Sequence, residues 1–213
     1  TSIEGGNPEK PIRTEDVTTS PKIAKNAKWQ MTRMNLNTFA RHGVLKDSAM
    51  VDMLAARLRD PALVKDSKNF PYQLYTSYMF VDPEVPTKLT NALQDAMEVS
   101  VSNVPKFEGK VRIAIDTSGS MSSIVTGDRG TASSKMKCVD VASLIASVIL
   151  RQNEDAEVYG FHSTAYPIKM NPRDSVVTNA KKVNTPGGST NVAAVLDLLN
   201  AKNDKGDLVV IVS

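Results

Sequence analysis

The sequence has 213 residues, enough for one large domain or two small ones. Hydrophobic residues make up 41% and charged residues 23%, an ordinary balance for a globular chain. A net charge of +3 excludes a chain-wide polybasic surface, the one cysteine (Cys138) excludes an internal disulfide framework, and no apolar run approaches the roughly 20 residues of a membrane span.

A lone cysteine fits a reducing, cytoplasmic setting. No signal-peptide pattern opens the chain. It begins at Thr1 and ends at Ser213 inside an aliphatic strand, so a piece of a longer protein is expected.

Residues 1–20 are polar and rich in Gly, Pro and Thr, and read as a loop or disordered lead-in. Residues 21–105 read as helical. Trp29, Leu36, Phe39 and Ala40 share one face at helical spacing. Asp47 or Ser48 caps a second helix that presents Met50, Val51, Leu54, Ala55 and Leu58. Pro71 opens a third, with Leu74, Tyr75, Tyr78 and Met79 on its apolar side. Pro86 opens a fourth, with Leu89, Leu93, Ala96, Met97 and Ser100. Met31, Met34, Met50 and Met53 also follow helical spacing and read as core or near-core. Four short amphipathic helices suggest a stack of helical repeats, although no sequence period is visible.

The pattern changes over residues 106–213. VRIAID (111–116) is a strand, followed by a polar loop. A helix runs from Lys135 to Gln152 with Val139, Ala142, Leu144, Ile145, Val148 and Ile149 on its apolar face. AEVYGF (156–161) is a second strand, and AYPIKM (165–170) an edge strand because it carries Pro167. Short helices are expected over 174–183 and 191–202, and DLVVIVS (207–213) reads as a buried strand. Strands alternating with helices imply a mostly parallel sheet, and ligands of such sheets sit beyond the carboxyl ends of the strands.

Asp116, Ser118 and Ser120 stand at that end. One carboxylate and two hydroxyls on a tight loop are hard oxygen donors suited to Mg²⁺ or a similar divalent cation. A second loop, PGGSTN (186–191), can deliver the Thr190 hydroxyl, with Ser189 its neighbour in register. The plainer reading of Asp-x-Ser after a strand is turn and cap chemistry. The later GGST loop and closing strand favour the metal site.

The run VRIAIDTSGSMSS, then PGGSTN, then DLVVIVS resembles the von Willebrand factor A domain and its metal-ion-dependent adhesion site. That resemblance implies Asp116, Ser118, Ser120 and Thr190 as metal ligands. It also implies a third-loop Asp after the last strand, beyond Ser213. The helical part, with WQMTRMNLNTFARHGV and NFPYQLYTSYMF, resembles the Ro autoantigen family, and its bacterial branch in the compactness of the loops. The implied architecture is a HEAT-like helical-repeat segment, the C-terminal helices of a TROVE module, followed by an α/β, Rossmann-like von Willebrand A domain truncated at its C-terminus. The implied function is non-catalytic binding of small non-coding RNA, including Y-like RNA, and of single-stranded ends of misfolded RNA.

Residues 21–46 carry Lys22, Lys25, Lys28, Arg33, Arg41 and Lys46, with His42 among them and no acidic residue. Such a run can neutralise phosphates. It is equally readable as a solvated face. Trp29 can stack on a base but reads better as core. A protein-interaction A domain, whose metal takes an acidic side chain from a partner, is the alternative function. A metal-dependent hydrolase lacks a general base among the matched residues. His162 reads as a turn residue, Cys138 as a structural thiol, and Gly127–Gly130 (GDRG, with Asp128) as a flexible loop.

Overall fold

The computed structural model describes residues 21–104, 106–125 and 136–213. The segment Gly127–Gly130 with Asp128, the lead-in 1–20 and Lys135 lie outside these residues. In chain order the helical segment comprises α1 (21–26), α2 (Trp29–Met34), α3 (Leu36–Arg41), α4 (Ser48–Arg59), α5 (Pro61–Asp66), α6 (Pro71–Met79) and α7 (Thr87–Ser100). There follow β1 (Val111–Asp116), α8 (Cys138–Gln152), β2 (Glu157–Phe161), β3 (Ala165–Ile168), α9 (Val176–Ala180), α10 (Ala193–Ala201) and β4 (Leu208–Val212).

Local chemistry sets the helix ends. The Asp47 carboxylate accepts from the Ala49 N–H at 2.9 Å and starts α4. Asp60 does the same for α5, accepting from Ala62 and Leu63, with Pro61 in the first turn. This short helix was not among the four expected. The Trp29–Ala40 face holds, with all four apolar residues buried, but its helix breaks at Asn35. There the Asn35 side-chain amide donates to the Met31 carbonyl at 2.8 Å, a side-chain bond that competes with the backbone ladder.

Leu54, Leu58, Leu74, Leu89, Leu93 and Met97 are fully buried where α4, α6 and α7 meet. The same core runs on into Leu144 and Val148 of α8 and Val176 and Val177 of α9. The opposite side of α8 places Val139, Ala142 and Ile149 against Val111, Ile113 and Ile115 of β1. Helix α8 therefore lies between the sheet and the helical segment. Its buried Ser143 and Ser147 hydroxyls donate back to the Val139 and Ser143 carbonyls, so neither is left unsatisfied. A polar clasp closes the junction. Arg151 donates to the Glu98 carboxylate at 2.8 Å and to the Pro172 and Asp174 carbonyls, and Glu98 accepts the Val176 N–H.

The sheet order is β3-β2-β1-β4, with β1 parallel to β2 and β4 and β3 antiparallel on an edge. Pro167 sits on that edge, where its missing N–H costs no ladder bond. Several burial expectations are corrected. β4 is the other edge and only half-buried, with Ile211 exposed, because β1 is its one strand neighbour among the described residues. Met31 and Met34 are 46% and 65% exposed, since α2 buries Trp29 and Thr32 instead. Met79 at the end of α6 and Ile145 on the open stripe of α8 are exposed as well. Helix α8 starts at Cys138.

Arg112, in the buried central strand, is 7% exposed and makes a two-pronged pair with Asp204, Nε to Oδ2 and Nη2 to Oδ1, each 2.7 Å. The hydrogen bonds from Arg112 hold the Asp204 carboxyl below the usual carboxylate range, with the Arg112 charge adding to the effect. A carboxyl with a lowered folded-state pKa stabilises fully above its unfolded value and loses that contribution as pH falls through the folded one. The stabilisation is thus complete at neutral pH and fades below the ordinary carboxylate range. Asp204→Asn is expected to narrow the stability gap to wild type as pH is lowered, read as thermal midpoint against pH. A constant gap down to the acid limit would contradict the pairing.

Candidate metal centre and nucleic-acid interface

Strand β1 delivers Asp116 beside Phe161 of β2 at the carboxyl end of the sheet. Asp116 and Ser118 are each 1% exposed, and Thr117 between them is fully buried. The chain then enters a 3-10 turn, Gly119–Ser122, that turns Ser120 outward. The Ser118 N–H donates to Asp116 Oδ1 at 2.8 Å. The Ser118 and Ser120 hydroxyl oxygens lie 3.1 Å apart.

The second loop closes on the first. Gly187 and Gly188 have φ of 87° and 104°, left-handed conformations in which a side chain is strained. This turn points the Gly188 carbonyl at the Gly119 N–H, 3.2 Å away. It also brings Thr190 Oγ1 within 2.9 Å of Ser118 Oγ. Ser189 turns away to Ser163, so Thr190 is the loop residue beside the Asp-x-Ser-x-Ser turn. All four expected residues therefore meet in one cluster.

Three neighbours were not singled out from sequence. Ser213 Oγ donates to Asp116 Oδ2 at 2.8 Å. Thr117 donates its N–H and its hydroxyl to the Phe161 carbonyl, at 2.7 and 2.9 Å. Tyr166 of β3 donates its hydroxyl to Thr117 Oγ1 at 2.9 Å. Its ring lies close against Gly160, where an added Cβ would be 2.6 Å from the ring. Ser213 is placed by the parallel register: Ile115 pairs with Val212, which sets residue 213 beside residue 116. His162 occupies the turn, its Nδ1 accepting the Ser163 N–H and its ring 5.8 Å from that of Tyr166. Its carbonyl accepts the Asn191 N–H and so anchors the second loop.

The donor set fits a hard cation. It is one carboxylate with three hydroxyls, all oxygen. Among the described residues no Lys, Arg or His pairs with the buried Asp116 carboxylate, whose partners are a neutral N–H and a neutral hydroxyl. Burying a carboxylate without a countercharge is costly, and a bound cation would remove that cost. Nor do the described residues hold a group of three or more His, Cys, Asp or Glu side chains placed for a metal. The cluster is thus of the sparse, hydroxyl-rich type that suits Mg²⁺, which keeps several waters.

The basic run lies on α1 to α3 and the turn after them. Lys22, Lys25, Lys28, Arg41 and Lys46 are exposed, and His42 is half-exposed at the end of α3. Arg33 is different. It is half-buried, and its Nη1 donates to the Gln73 carbonyl at 2.9 Å and to Ser77 Oγ at 2.6 Å on α6. Burial lowers its pKa from the ordinary arginine value. Arg33, expected at an RNA surface, instead holds α2 to α6. Trp29 is core: its indole N–H donates to the Leu58 carbonyl at 3.0 Å. No helix among the described residues is long and apolar enough to cross a membrane.

A family model described as the Ro60 vWA domain matches residues 110–213. A protein of Deinococcus radiodurans named RNA-binding protein RO60 is 28% identical over 162 residues, which is 70% of this chain and 29% of that protein. The crystal structure of the Ro (RSR) protein of D. radiodurans superposes with a TM-score of 0.66 at 23% identity, covering 84% of this chain and 38% of that one. That coverage exceeds what residues 110–213 alone can supply, so the shared fold includes the helical segment. The chain spans well under half the length of either relative. Residues 110–213 thus match the Ro60 von Willebrand A domain, and the chain shares the order of helices and sheet of the D. radiodurans Ro protein.

Proposed function

We propose that this chain is part of a non-catalytic, cytoplasmic RNA-binding protein of the Ro type. Its ligands are small non-coding RNAs of the Y-like kind and the single-stranded ends of misfolded RNA. The observation that carries this reading is the set of exposed cations Lys22, Lys25, Lys28 and Arg41, with His42 at its margin and no acidic residue between 21 and 46. The name of the D. radiodurans relative, an RNA-binding protein, supports it. In the A domain, Asp116, Ser118, Ser120 and Thr190 would hold a divalent cation, in our reading Mg²⁺, and supply a positive centre for an oxygen of a partner.

The test is a titration of the full-length protein into a labelled small RNA with a single-stranded 3′ tail, followed by anisotropy at several salt concentrations. Each phosphate contact contributes roughly 0.7–0.9 to the slope of log affinity against log salt. Replacing Lys22, Lys25 and Lys28 together with Gln is expected to weaken binding and reduce the slope by about two. An unchanged slope would remove these residues from the interface. Absence of binding at low salt would overturn the RNA reading.

Ser120 is exposed at the mouth of the cluster, which favours a second reading. There an acidic side chain of a protein partner, not RNA, reaches the cation. Repeating the titration in EDTA separates the two roles of the site.

A further inference from the structure

The hydroxyl of Ser213 is hydrogen-bonded to the carboxylate at the centre of the cluster. Asp116 Oδ1 is fixed by the Ser118 N–H and Oδ2 by the Ser213 hydroxyl, both at 2.8 Å. The first contact comes from the same loop as Asp116 and moves with it. The second comes from the end of β4, a strand paired to β1 over five residue pairs, from Val111–Leu208 to Ile115–Val212. We infer that Ser213 is a positioning residue for the divalent cation, holding the Asp116 carboxylate in the orientation that the cation requires.

The inference rests on the cation reading above. Its physical basis is the orientation of a ligand by its hydrogen-bond partners. A carboxylate buried to 1% exposure has two oxygens to satisfy. With Ser213 in place each oxygen has a donor, one from the loop after β1 and one from the end of β4. Without it, Oδ2 loses its donor and the carboxylate is free to rotate about its last torsion. Orienting partners of metal ligands are typically worth about 10–100-fold in metal affinity.

The experiment is calorimetric titration of the full-length protein with Mn²⁺ and with Mg²⁺, for wild type, Ser213→Ala and Ser213→Thr, with thermal midpoints of each measured in EDTA. The expected result is a loss of affinity of at least tenfold in Ser213→Ala, with recovery of both the affinity and the EDTA midpoint in Ser213→Thr. Equal affinity of Ser213→Ala and wild type would overturn the positioning role while leaving the cation site standing. A lowered midpoint in EDTA with no rescue by Thr would make Ser213 a structural residue and also overturn it. Absence of cation binding by wild type would instead remove the site reading itself.

Discussion

Replacing Asp116 with Asn or Ala is expected to abolish divalent-cation binding, with affinity falling by more than the roughly 100-fold that an outer partner of a metal site can cost. Asp116 is the one carboxylate of the cluster; Ser118, Ser120 and Thr190 contribute neutral hydroxyls. Removing it takes away the only negative charge that these four residues offer to offset dehydration of the cation. The variants also separate two effects on stability. In EDTA the wild type buries a carboxylate whose partners among the described residues are neutral, which is a burden on the fold. Asn keeps the shape and drops the charge, so Asp116→Asn is expected to melt at or above the wild-type temperature without cation. With Mg²⁺ at a hundred times its Kd, wild type gains about 2.7 kcal/mol and the variant gains nothing. Unchanged Mg²⁺ or Mn²⁺ affinity in Asp116→Ala, measured by calorimetry, would sink the metal assignment.

What was legible in the sequence was mostly local. Asp47 before an apolar periodic run, Pro71 and Pro86 in front of two others, and Pro167 in an edge strand each act within a few residues, and each stands where its chemistry puts it. α5 escaped because six residues are too few to show a period, although Asp60-Pro61 is a start signal. Met31 and Met34 were misplaced for a different reason. Methionine at helical spacing fits either side of a short helix, and Trp29 and Thr32 took the inner one. Ile145 belongs to a helix covered on two sides, so its exposed stripe is narrow and falls within an otherwise apolar pattern.

The site divides along the same line. Asp116, Ser118 and Ser120 lie within five residues, and the Gly187-Gly188 turn announces the loop that carries Thr190. Ser213 and the Arg112–Asp204 pair join positions more than ninety residues apart, and only strand register or the return of a loop makes them neighbours. Arg33 shows the converse. Its place in an uninterrupted basic run suggested a surface role, and a long side chain reaching α6 across forty residues of sequence redirected it.

Trp29 is where the core and RNA readings make opposite predictions. Trp29→Ala is expected to destabilise the protein by about 3–5 kcal/mol, measured by denaturant unfolding, as for other buried aromatic truncations. Two losses combine. The ring leaves a cavity between α2 and α4, and the Leu58 carbonyl, in the last turn of α4 where helix carbonyls lack internal partners, loses the indole N–H. Trp29→Leu restores much of the apolar volume but not the hydrogen bond, so it is expected to fall between Ala and wild type. RNA binding decides the role. A stacked tryptophan contributes about 1–3 kcal/mol per base, which leucine cannot supply. Because the ring is 5% exposed and turned into the core, Trp29→Leu is expected to bind RNA like wild type at a temperature where both are folded. A drop in affinity of tenfold or more with the fold intact would put Trp29 on the RNA, and would mean that α2 opens when RNA binds.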